Sequence, residues 1–274
     1  MIIQHRDFSP EAIAESGQCF RMRPSEDGTG YVTIALGRRL EIRRLSEDSF
    51  SLDCTEEDFD RIWRDYLDLD TDYDRYRSVI DPDDEFLLRA AEFGRGIRIL
   101  RQEPWEMLIS FIISQRKSIP AIRTAIERLS EGFGRECITT SSDGRPISYH
   151  AFPTPEALCA ADPEALAACG LGYRLPYVRE AAERAMSGEL ETLSELDTQK
   201  LIEKLMDLKG VGVKVASCIA LFGYHRLEIP PVDVWIRRVI DQIYGGSFPE
   251  SYGSCAGVLQ QYMFNYARLT KMGA

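Results

Sequence analysis

Nine residues constrain this chain more than any other stretch: Leu208-Lys209-Gly210-Val211-Gly212-Val213-Lys214-Val215-Ala216. Two glycines one residue apart stand just before a run that can form a helix, 213–222. A second helical run, 197–206, precedes them. This is the sequence form of a helix–hairpin–helix turn. Its glycines let the chain bend tightly and bring backbone N–H groups close to an anion. A duplex phosphate is the obvious anion, contacted by the N–H groups of Gly210, Gly212 and Val215. Lys214 sits within the turn, and Asp233, in Pro231-Val232-Asp233, follows it by 19 residues. An amine and a carboxylate beside a phosphate clamp suggest chemistry on a sugar–base bond. In the bland reading, Lys214 binds phosphate and Asp233 only caps a helix.

The chain reads as α+β, with a small antiparallel-sheet domain over residues 1–80 and a mainly α-helical domain over 81–274. Ser9 caps and Pro10 opens a short helix. Segments 31–36, 39–45 and 49–52 alternate apolar and polar residues between turns, which predicts an antiparallel meander. Thr55 caps a helix with Phe59, Ile62, Trp63, Tyr66 and Leu67 at helical spacing. Another helix starts at Asp81-Pro82-Asp83-Asp84, and the acidic connection between the two reads as solvated. Pro104 opens a largely buried helix through Ser114. Residues 130–155 are rich in Ser, Thr, Gly and Pro and read as loop. Short helices are predicted over 155–161 and 163–169. A second Gly-x-Gly turn follows, Cys169-Gly170-Leu171-Gly172-Tyr173-Arg174, and a final helix covers 255–269.

These motifs resemble the helix–hairpin–helix DNA glycosylases, specifically the branch that removes 8-oxoguanine from DNA, and the likeness runs through most of the chain. Lys214 in the hairpin with Pro-Val-Asp at that distance is the specific part. The resemblance implies a bifunctional glycosylase and lyase. Lys214 would attack C1′ of the sugar and leave a Schiff base, Asp233 would stabilise the positive charge on the sugar, and β-elimination would nick the strand. An ordinary lysine, with a pKa near ~10.4, is mostly protonated at pH 7, so attack calls for burial or nearby cations.

The same resemblance assigns the other contacts. Within Ser16-Gly17-Gln18-Cys19-Phe20-Arg21, the Gly17 carbonyl would accept the N7 proton that distinguishes the oxidised base from guanine. Gln260 and Phe264 share one helix face at i, i+4. They would meet the pairing edge and ring face of the flipped base, with Cys218 as the other wall. Tyr173 would wedge into the duplex, with Arg174 beside it at the estranged base. Three positions depart from the branch. Gln115-Arg116-Lys117-Ser118 replaces consecutive asparagines, leaving Arg116 to contact DNA in the gap. Ala121 replaces an arginine that some members use to read cytosine, which implies a relaxed opposite-base preference. Trp235 replaces a histidine that some relatives use on a phosphate.

A formal net charge of −11 and a pI near 4.9 run against nucleic-acid binding. Net charge, however, reports the long-range field rather than a local site. Acid gathers over 53–84, and basic side chains at 95–101, 116–123, 174–179 and 237–238. A dipolar molecule with one basic face is predicted, its partner damaged double-stranded DNA. The 7 cysteines are scattered with no C-x-x-C pair, which speaks against structural zinc. Some glycosylases of the superfamily carry a C-terminal iron–sulfur cluster; only Cys255 lies in that region here, so no cluster is expected. No cofactor or catalytic metal is expected beyond a monovalent cation, which hairpin carbonyls hold in relatives. No apolar run reaches the roughly 18 residues of a membrane span, and no signal-peptide pattern opens the chain. An intracellular monomer of cytoplasm or nucleoid is expected. Competing readings are a glycosylase for alkylated bases, which would use the aspartate alone, a non-catalytic hairpin module, and a small-molecule enzyme. Lys214 and Asp233 together argue against all three.

Overall fold

The alternating segments near the N-terminus fold into a five-stranded antiparallel sheet in the computed structural model, which describes residues 1–141 and 144–271. Its strands are β1 (Ile2–Gln4), β2 (Met22–Pro24), β3 (Tyr31–Ala35), β4 (Arg38–Arg44) and β5 (Ser49–Leu52), in the order β1-β5-β4-β3-β2. The meander pairs as the alternation predicts, with Thr33 opposite Leu40 and Arg44 opposite Phe50. β1 is too short to show alternation, and it pairs with β5 through Ile3 and Phe50. Ile13, Leu40, Phe50, Trp63 and Leu67 form a core of their own around this sheet. Ser9 caps α1 (Pro10–Glu15) by accepting from the Ala12 N–H at 3.2 Å. Thr55 caps the next helical run similarly, but that run carries a π turn at Phe59–Trp63.

The acidic connection is not uniformly solvated. Asp68 is buried, and its carboxylate accepts from Thr71 at 2.9 Å, the Tyr73 hydroxyl at 2.8 Å and Arg101 at 2.9 Å. Its backbone carbonyl accepts from the buried Arg98 guanidinium at 2.8 Å. Interior charges persist only when partnered in this way. Arg98 and Arg174, two members of the expected basic face, are interior residues.

The second core is helical. Its long elements are α2 (Glu85–Phe93), α3 (Pro104–Ser114), α4 (Ile119–Phe133), α5 (Leu175–Ala185), α6 (Thr198–Met206), α7 (Val213–Gly223), α8 (Val234–Ile243) and α9 (Ala256–Leu269). The predicted short helices form at Pro155–Ala160 and Pro163–Ala168. Between α4 and these, the expected loop contains a hairpin, β6 (Glu136–Thr140) with β7 (Pro146–His150). β-branched Ile138, Thr139, Thr140 and Ile147 favour extended backbone there, although turn-forming neighbours dominate the composition. α3 and α7 are apolar on nearly every face and pack against each other, with Phe111 stacked on Phe222 at 5.5 Å. Among the described residues, no helix is long and apolar enough to cross a membrane.

Glu106 is an exception to this apolar packing. It lies buried in the first turn of α3, and burial pushes its carboxyl up to about 8 while Arg21 pulls the other way. The folded state therefore holds a proton that the unfolded chain releases near the ordinary value of 4.5. Native protein binds more protons in that window, so stability falls as pH rises from about 4.5 through about 8. Glu106→Gln removes this titration. We expect the variant to lose less stability than wild type between pH 6 and 8.5, by on the order of 2 kcal/mol. Denaturant melts at both pH values check this, and parallel losses would refute it.

Candidate active site

The hairpin between α6 and α7 is built as its glycines demand. Gly210 has φ +80°, and a Cβ there would sit 2.3 Å from the Tyr177 ring. Gly212 takes the N-cap position of α7 in extended backbone, and Val213 after it is 65% exposed. Val215 follows in the first turn and is buried. Tyr177, on α5, also meets Tyr173 edge-on at 6.2 Å, so the two Gly-x-Gly turns share one aromatic support. Tyr173 is 52% exposed.

Lys214 lies in the first turn of α7, with Nζ 5.5 Å from the centre of the Phe111 ring. Asp233 caps α8: its Oδ1 accepts from the Trp235 N–H at 3.0 Å and the Ile236 N–H at 2.9 Å. Burial pushes the Asp233 carboxyl above its ordinary value, while the Ile236 N–H and the Lys214 charge pull it back. Burial likewise pushes the Cys218 thiol up against the pull of Lys214.

Lys214 and Asp233 line one cavity of about 400 Å³ together with Gly17, Cys218, Gln260 and Phe264. Gly17 has φ +74°, a left-handed conformation that favours glycine. A Cβ there would approach Phe264 Cε1 to 3.0 Å. The turn around it is tied down from several sides. The Gln18 amide donates to the Arg98 carbonyl at 2.8 Å and to Ser16 Oγ at 2.9 Å, and its Oε1 accepts from the Leu100 N–H at 2.8 Å. Gln102 donates to the Gln18 carbonyl at 2.9 Å. Arg123 of α4 reaches the Ala14 carbonyl at 2.6 Å, and Arg268 of α9 reaches that of Glu15.

The loop after α3 carries Arg116, exposed and left-handed at φ +51°. Lys117 Nζ donates to the Gly170 carbonyl at 2.9 Å. Arg174 requires a correction. Expected at the estranged base, it is 5% exposed and donates to the carbonyls of Leu171 and Gln115. Its guanidinium ties the Arg116 loop to the second Gly-x-Gly turn, because a carbonyl from each, Gln115 and Leu171, meets one fork-shaped donor. Ala121 is exposed in the first turn of α4, and Trp235 lines the cavity with the Arg238 guanidinium 5.1 Å from its ring.

Residues 1–108 match the family model described as 8-oxoguanine DNA glycosylase, N-terminal domain, and residues 109–252 match that of the HhH-GPD superfamily base excision DNA repair protein. The chain belongs to the 8-oxoguanine branch of the HhH-GPD superfamily. It is 33% identical over 258 residues to the N-glycosylase/DNA lyase of Saccharomyces cerevisiae, covering 85% of this chain and 67% of that protein. It is 31% identical over 234 residues to a probable N-glycosylase/DNA lyase of Methanothermobacter thermautotrophicus, covering 74% and 72%. The Clostridium acetobutylicum 8-oxoguanine glycosylase/lyase, solved with duplex DNA carrying cytosine opposite 8-oxoguanine, superposes with a TM-score of 0.88 at 33% identity, covering 99% of each chain.

Against the branch pattern, sequence reading missed Gln18, which fixes the Gly17 turn, and Gln261, which shares the cavity wall with Gln260. Neither carries a signal in the sequence beyond standing next to a residue of the branch pattern, Gly17 or Gln260.

Proposed function

We propose that this chain removes 8-oxoguanine from duplex DNA and then nicks the strand, acting as an N-glycosylase and lyase. The observation that carries the reading is one base-sized cavity shared by an amine, a half-buried carboxylate and the Gly17 turn. With Lys214 deprotonated, the Nζ lone pair forms a bond to C1′ as the C1′–N9 bond breaks; the bonding electrons leave with the base, a proton shed by Nζ balances the one the base takes up, and opening of the C1′–O4′ bond gives the Schiff base that precedes β-elimination. Asp233 faces the positive charge that develops on the sugar. Gly17 accepts N7–H, Gln260 reads the pairing edge, and Phe264 and Cys218 enclose the ring. The Gly210, Gly212 and Val215 N–H groups clamp a phosphate, Tyr173 wedges the duplex open, and Arg116 occupies the gap. These contacts offset unstacking, which costs roughly a few kcal/mol. The reading is of a monomer acting on damaged double-stranded DNA. No step calls for a metal or an iron–sulfur cluster.

Borohydride trapping on duplexes with one 8-oxoguanine opposite each of the four bases tests this. A covalent adduct and a nicked strand are expected with all four partners, because Ala121 offers no guanidinium to demand cytosine. Base release without an adduct would replace the amine by water as nucleophile. No release and no adduct would remove 8-oxoguanine as the substrate.

A further inference from the structure

Gln260 and Gln261 are consecutive on α9, yet both are buried, at 2% and 3% exposure, and both line the cavity. Gln261 Nε2 donates to Gln260 Oε1 at 3.0 Å. Gln261 Oε1 has no hydrogen-bond partner in the protein, so the bond from its Nε2 couples the orientations of the two amides: neither turns over alone without losing it. A carboxamide presents an acceptor on one side and two donors on the other. Which side meets a base is a choice that the surrounding protein must make.

We propose that Gln261 is a positioning residue for base selection, fixing which way round the Gln260 amide meets the pairing edge. The inference rests on the 8-oxoguanine reading above. If Gln260 turned over, two NH₂ groups would face each other and the Gln261 donor would be left without an acceptor. In the observed orientation Gln260 Oε1 keeps a second lone pair, which the incoming Gln261 N–H polarises. A guanine-type edge offers an N1–H donor beside an O6 acceptor, and the fixed amide matches that order. An adenine-type edge offers an N6 amino donor beside an N1 acceptor, the reverse order. 8-Oxoadenine has the same C8 oxygen and N7–H as 8-oxoguanine, so Gly17 treats both alike and only the pairing edge separates them. Gln261 thus supports selection against the oxidised adenine without touching the base.

Single-turnover excision of 8-oxoguanine and of 8-oxoadenine, with lyase cleavage of a duplex containing a ready-made abasic site, tests the assignment in wild type, Gln261→Glu and Gln261→Leu. An ionised glutamate only accepts, so where this carboxyl is charged Gln260 must turn its Nε2 toward it and reverse the order it presents, and excision is read across pH because burial raises a carboxyl. We expect Gln261→Glu, at the alkaline end of that series, to lower the 8-oxoguanine to 8-oxoadenine rate ratio by about tenfold or more, with a smaller fall for Gln261→Leu, which frees the amide. Abasic-site cleavage, with no base to read, stays at the wild-type rate in Gln261→Leu, which adds no charge to the cavity that holds Lys214. An unchanged ratio in both variants would overturn the assignment. So would abasic cleavage by Gln261→Leu falling in parallel with excision, which would make Gln261 a packing residue. Wild type inactive on both oxidised purines would overturn the proposed function itself, and this inference with it.

Discussion

Lys214→Ala abolishes the borohydride-trapped adduct and lowers excision on the order of 10⁴-fold or more, while duplex binding stays near wild type. Lys214 follows the two hairpin glycines in the first turn of α7, so the backbone groups that would hold a phosphate are separate from the side chain. Alanine is a strong helix former, and the hairpin itself is set by Gly210 against Tyr177. Binding and chemistry should therefore separate cleanly. Gel-shift titration and trapping on the same duplex give both quantities. One further lysine, Lys117, lines the cavity, with its Nζ held on the Gly170 carbonyl at 2.9 Å. An adduct that persists in Lys214→Ala would transfer the nucleophile to another amine, with Lys117 the first to examine.

Asp233→Asn is the second large loss, expected on the order of 10²–10³-fold in excision, the scale of removing one electrostatic partner from a developing charge. Asparagine is chosen because Asp233 Oδ1 accepts from two N–H groups at the start of α8, and an asparagine carbonyl can keep both. Asparagine caps a helix about as well as aspartate. The variant thus removes charge and leaves the cap, whereas alanine would remove both. The pH profile carries the sign. In the proposed mechanism the ionised carboxylate is the working form, and burial raises its pKa. The acidic limb of wild-type excision should therefore lie above the ordinary aspartate value of about 3.9, and the variant should lack that limb. A variant excising at near the wild-type rate would leave Asp233 with capping alone.

Much of this architecture is legible from local chemistry. Ser9, Thr55, Asp84, Asp197 and Asp233 all cap helices, because a short polar side chain before a helix satisfies the same donors wherever it occurs. Lys214 and Asp233 could be singled out because a glycine hairpin and a Pro-Val-Asp turn are written in consecutive residues. What stayed hidden depends on partners distant in sequence. Asp68 looked like one acid among many until Arg98, Arg101 and Tyr73 closed on it. Arg174 read as a cation for DNA, but the carbonyls of Gln115 and Leu171 claimed its guanidinium. β6 and β7 were masked by turn-forming neighbours, and no pattern of charge or period marks Glu106 as a carboxyl that burial would keep protonated.

The cavity is closed by Gly17 and Phe264, which come from nearly opposite ends of the chain. That placement sets an order of events during synthesis. The hairpin and Lys214 leave the ribosome before α9 does, so a nascent chain carries the lysine before it has any chamber around it. Bringing the Gly17 turn and α9 together is also a long-range closure, with Arg268 on the Glu15 carbonyl 253 residues away in sequence, the kind of contact that slows folding. If the cavity does what is proposed for it, the walls that select a base are assembled after the hairpin that carries the amine.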